Sequence, residues 1–163
     1  MRGSMKTALV ALALLAACSR PGGGSGPKAK RTLPAHLEAA AKRFGEAVLA
    51  KNYAAAYELM AASYRERLPY EEFLESITRY RDHVQGELKL EVRASEDDPK
   101  TLKDDGMVQM LVPDHLRGQI LDEAILAFDV TTGEDKEEGD WVLVMWLTEE
   151  SGQLRVLNYY QDD

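Results

Sequence analysis

Asp129 interrupts the apolar segment from Leu121 to Val130, and a carboxylate enclosed there in a dry pocket would have its pKa raised towards general-base duty. Strand alternation gives the plainer alternative, in which Asp129 faces water. Hydroxyls on other apolar segments come from Tyr53, Tyr57, Tyr64, Tyr80, Tyr159 and Tyr160, read in the first place as core or rim residues whose polar tips reach solvent. The remaining chemistry-bearing residues form no constellation. His36, His83 and His115 are spread without ligand spacing, so no metal site is expected. Asp97-Asp98 and Asp104-Asp105 lack the ordered oxygen pattern of a calcium loop. Ser63, Ser76 and Ser95 sit in no nucleophile motif. Gly22-Gly23-Gly24 follows no strand and is not a phosphate loop, and no cofactor is expected.

The single cysteine is different, because its register carries information. Arg2 and Lys6 form a positive flank, ten apolar residues run from Ala8 to Ala17, and Cys18 follows at once. A run that short falls below the roughly 20 residues a membrane-spanning helix needs, and the order of regions is that of an export signal. Leu15-Ala16-Ala17-Cys18 closely resembles the lipobox of bacterial lipoproteins. The resemblance implies cleavage after Ala17, a diacylglycerol on Cys18 and acylation of the new amino terminus. Ser19, standing where aspartate would suggest inner-membrane retention, leans the expectation towards a bacterial cell envelope location at the outer membrane, facing the periplasm. An ordinary signal peptide that happens to hold a cysteine is the alternative. Met5 offers a second start that leaves the signal intact.

Residues 1–17 are thus expected as signal peptide, 18–33 as lipid site and tether, and 34–163 as one domain. Arg20-Pro21-Gly22-Gly23-Gly24-Ser25-Gly26-Pro27 buries nothing that could offset its ordering entropy, which makes it a flexible leash. The chain carries 20 Lys and Arg against 28 Asp and Glu, and the excess is uneven. Residues 19–86 hold 11 basic and 8 acidic side chains, while residues 87–163 hold 7 and 20. Nucleic acid is a poor partner for such a surface. A solvated acidic sheet surface explains the asymmetry, with a cationic partner as the functional alternative.

The elements follow from period. Leu37, Ala40, Ala41, Phe44, Ala47 and Val48 recur at helical spacing from Pro34 to about Lys51, and Asn52 can stop this helix and cap a second through Met60. Pro69 opens a third, with the stripe Phe73, Ile77, Tyr80 and Val84, ending near Gly86. Beyond Gly86 the period becomes two. Leu88, Leu90 and Val92 alternate with charged residues, and further strands are expected at Met107 to Val112, Leu121 to Val130, Trp141 to Thr148 and Gln153 to Tyr160. Trp141 and Trp146 have opposite parity and should face opposite sides. Short turns imply antiparallel pairing.

This order, and specifically Phe44-Gly45-Glu46-Ala47-Val48-Leu49-Ala50-Lys51-Asn52-Tyr53-Ala54-Ala55-Ala56-Tyr57-Glu58-Leu59-Met60 leading to Leu68-Pro69-Tyr70-Glu71-Glu72-Phe73, resembles the nuclear transport factor 2-like family. The resemblance spans about residues 34 to 160. It implies an α+β cone, with three N-terminal helices packed on a curved antiparallel sheet of four or five strands. It also implies a pocket between helices and sheet, with Tyr53, Tyr57, Tyr64, Phe128, Asp129, Trp146 and Tyr159 as lining candidates, and homodimers formed through the sheet. The expected function is a membrane-anchored envelope lipoprotein with a non-catalytic domain that binds a small ligand or another envelope protein. Two alternatives stand beside it: a small isomerase or hydro-lyase using Asp129 as general base, and an assembly protein acting through an exposed sheet face.

Overall fold

Leu37, Ala41, Phe44 and Val48 are buried along one stripe of the first helix, which is what binds it to the sheet. The computed structural model describes residues 31–81, 86–131 and 141–162. The expected signal peptide, Cys18 and the glycine leash, together with His83 and the acidic turn after Thr131, lie outside the described residues, as does the side chain of Tyr80. Four helices come first: α1 (Ala35–Leu49), α2 (Tyr53–Glu58), α3 (Ala62–Arg65) and α4 (Tyr70–Arg81). Asn52 caps α2 by accepting from Ala55 N at 3.3 Å. Then come β1 (Leu88–Ala94), a single 3-10 turn (Leu102–Asp104), α5 (Gly106–Leu111), α6 (Asp114–Arg117), β2 (Asp122–Val130), β3 (Trp141–Glu150) and β4 (Gln153–Asp162).

The strands form one antiparallel sheet in chain order, β1-β2-β3-β4. Its first face, Leu88, Leu90, Val92, Leu126, Phe128, Leu143, Met145 and Tyr159 among others, lies under the helices. Gly45 lets α1 approach closely, since a Cβ there would stand 2.8 Å from a Leu90 methyl and 3.1 Å from one of Leu126. Trp141 shares this face and stacks on Phe128 at 4.4 Å, whereas Trp146 points the other way. The β1–β2 connection packs on the second face. Asn158 Nδ2 donates to Leu111 O at 2.8 Å, and Trp146 is fully buried.

Two expectations are corrected here. The sheet is open, neither closed nor strongly curled, so the curved nuclear transport factor 2-like cone is not what this chain forms. Strong bending of a sheet needs bulges or kinks in its strands. The β1–β2 and β2–β3 registers run unbroken, and the register shift falls between Trp146 and Leu147 in the β3–β4 ladder. The residues that carried the resemblance lie in α1, α2, α4 and their connections, outside the four strands whose ladders set that curvature. The segment Met107 to Val112, expected as a strand, is helix α5 up to Leu111, started by Asp105, whose carboxylate accepts from Met107 N and Val108 N. The α+β composition and the packing of helices on a four-stranded antiparallel sheet are present.

Candidate functional site

Ala61 N donates to Val156 O at 2.8 Å and Val156 N to Leu59 O at 3.0 Å, which fastens the α2–α3 junction to the edge of β4. Tyr64, three residues on, is thereby set against Tyr159, with ring centroids 6.3 Å apart. Phe73 of α4 meets the rings of Tyr57, Tyr64 and Tyr159, and Tyr57 Oη donates to Leu68 O at 2.7 Å, holding the α3–α4 loop down. The result is a cleft of about 310 Å³ lined by Tyr64, Arg67, Leu68, Ser76, Asn158 and Tyr159.

A line of hydroxyls runs along its wall. Tyr159 Oη donates to Ser76 Oγ at 3.1 Å, and the Tyr64 ring packs beside that of Tyr159. Burial pushes both phenols up, and for Tyr64 the neighbouring Tyr159 adds to it. Both therefore stay neutral at physiological pH and serve as hydrogen-bonding groups rather than as bases. Arg67 adds an exposed cation at the rim, its Nε bound to Ser63 O at 2.9 Å. Two phenol rings, a leucine and a few convergent polar groups make the lining of a small-molecule site.

The residues singled out from sequence divide between places. Tyr64 and Tyr159 meet in the cleft, and Tyr57 buttresses it from behind. Tyr53 packs half-buried against the core. Phe128 is in the core beneath the helices, and Trp146 and Asp129 belong to the second face of the sheet. Asp129 is half-buried opposite Lys89, across the sheet from Tyr64 and Tyr159, so the two cleft tyrosines and this carboxylate do not form an acid–base pair. His36 and His115 are exposed and far apart in the chain, and among the described residues no group of three or more His, Cys, Asp or Glu side chains is placed to hold a metal.

Two acids that sequence reasoning passed over are the buried ones. Asp122 accepts both contacts from Arg31 Nη1, at 2.7 and 2.9 Å, while Arg31 Nε reaches Ser95 O at 2.7 Å. Glu123 accepts from Trp146 Nε1 at 2.6 Å. Desolvation raises the Glu123 pKa, hydrogen bonds from Ser95 and Trp146 oppose the rise, and Asp97 and Asp105 add to it. The legible signal was two adjacent acids opening a long apolar strand. Nothing in the sequence shows that the β1–β2 connection would bury them.

Comparison with protein-family models, with curated proteins and with solved structures finds no match for this chain.

Proposed function

We propose that this protein is a lipid-anchored binding protein of the bacterial cell envelope, held at the outer membrane through Cys18 and taking a small polar ligand in the cleft of Tyr64 and Tyr159. The observation that carries the binding half is the gathering of Tyr64, the hydrogen-bonded Tyr159–Ser76 pair and Arg67 on one open cleft. Neutral phenols and a rim guanidinium fit a ligand with an apolar body and a hydrogen-bond-accepting or anionic end. Anchoring rests on Leu15-Ala16-Ala17-Cys18 at the end of the apolar run, ahead of a glycine-rich leash. No helix among the described residues is long and apolar enough to cross a membrane.

The test is native mass spectrometry of the full chain extracted in detergent from its host's membranes. A retained small molecule that is lost or weakened in Tyr159→Phe and Arg67→Ala supports the reading. Repeated extraction with no bound mass, or a ligand retained equally by both variants, overturns it.

A further inference from the structure

The two edges of the sheet are treated differently. At β4 the middle of the edge is occupied, since Leu59 O and Ala61 N bond both backbone groups of Val156 and Arg155 Nη1 holds Glu58 O at 2.7 Å. At β1 the edge is open among the described residues. Thr131 N donates to Glu87 O and Ser95 N to Glu123 O, so the odd-numbered residues of this strand turn their backbone groups to β2. Leu88, Leu90 and Val92 turn theirs outward, and their side chains are only half-buried although they lie on the helix-covered face.

The strand reads Glu87-Leu88-Lys89-Leu90-Glu91-Val92-Arg93, and this order is complementary to its own reverse. We infer that two copies of this chain pair antiparallel through β1, with Leu90 on the two-fold axis, to make a continuous eight-stranded sheet. In that register Leu90 exchanges both backbone hydrogen bonds with Leu90 of the second copy, and Leu88 does so with Val92. Those are the residues whose groups point outward. Lys89 then stands beside Glu91 of the second copy and Glu87 beside Arg93, each twice by symmetry. All four charge pairs fall at the non-hydrogen-bonded positions, where opposing side chains come closest.

Neighbouring registers fail on the same criterion. Centring on Glu91 sets Glu91 against itself and Lys89 against Arg93, and centring on Lys89 sets Lys89 against itself and Glu87 against Glu91. On the apolar face Leu90 meets its symmetry mate and Leu88 meets Val92 of the second copy. The groove of about 570 Å³ between α1 and β1, lined by Lys42, Glu46, Leu49 and Leu88 among others, leaves room for them. Charged side chains ordinarily protect an edge strand from pairing, and here their alternation in sign makes them attract a second copy in this register. A C2 contact of this kind is isologous and closes on itself.

The experiment is sedimentation of the full chain in density-matched detergent, reading protein mass against concentration. Two chains per particle are expected for the wild type. Glu91→Lys and Lys89→Glu should each weaken self-association roughly tenfold or more, because each replaces two attractive pairs by two repulsive ones. Mixing the two variants, or combining them in one chain, should restore pairing. Lys89→Glu also meets Asp129 within its own chain, and Glu91→Lys and Arg93→Glu each break the 2.8 Å ion pair between Arg93 and Glu91. Glu87→Arg and Arg93→Glu therefore form a second pair tested the same way, recovery in the mixtures separates pairing from these internal losses, and circular dichroism checks the fold of each. A wild type that stays single at every concentration overturns the inference. So does a dimer indifferent to the single variants, failure of both mixtures to recover, or a single chain that instead takes up an extended peptide of a different protein along β1.

Discussion

Glu123 is the residue where burial and charge conflict most openly. Its carboxylate is fixed by the indole of Trp146 and held above the ordinary glutamate value of 4.5, so the folded chain binds a proton that the unfolded chain has already released. The sign follows from linkage. Stability is greatest below about the unfolded value, falls as pH rises through the window up to the raised folded value, and levels off above it. Glu123→Gln keeps an acceptor for Trp146 and removes the titration. Urea midpoints measured across that window should decline for the wild type and stay flat for the variant, which should also be the more stable of the two at neutral pH. Equal slopes would assign the pH dependence elsewhere. Asp122, one residue away, is ion-paired with Arg31 at 2.7 Å.

At the scale of elements, positions were far more legible than surroundings. The helix from Pro34, the Asn52 cap, the alternation after Gly86 and the strands beginning near Leu121, Trp141 and Gln153 all match the observed boundaries to within a few residues. Periodicity and caps are local, and each of these segments is long enough to declare its period. Met107 to Val112 is only six residues of mostly apolar side chains, and a run of that length does not distinguish helix from strand. The distinguishing feature was Asp105 as a cap. Asp105→Ala should cost about 1 kcal/mol of stability through the loss of two backbone contacts, measurable by chemical unfolding. Gly45 makes a second test at this scale. A valine there must displace Leu90 and Leu126 at the α1–sheet contact, with an expected loss of about 1 to 3 kcal/mol, and an unchanged melting curve would mean that α1 has room to lift.

For the whole molecule, the anchoring half of the proposed function concerns one sulfur and the domain it tows. Cys18→Ser should yield a chain with no fatty acyl mass that partitions away from the membrane fraction, as read by mass spectrometry of the amino-terminal peptide and by fractionation of the host. A variant that stays membrane-bound, or a wild type without acyl mass, defeats the proposal while leaving the cleft untouched. The domain is tied firmly from Arg31 onward. Arg31 clasps Asp122 and Ser95, and Leu33 is buried, so the folded part takes in the last residues of the stretch read as tether.

The sequence by itself determined the α+β make-up, the helical stripes and the antiparallel succession of strands, because all of these are written in spacing along the chain. Only the tertiary structure decided that the sheet is open, that Asp129 lies on the far side of it from Tyr64 and Tyr159, and that Asp122 and Glu123 rather than Asp129 are the buried carboxylates among the described residues. Parity along a strand says which residues share a face. Which face the helices take, which the β1–β2 connection takes, and how far the sheet bends depend on contacts between residues distant in the chain, and no local pattern records those.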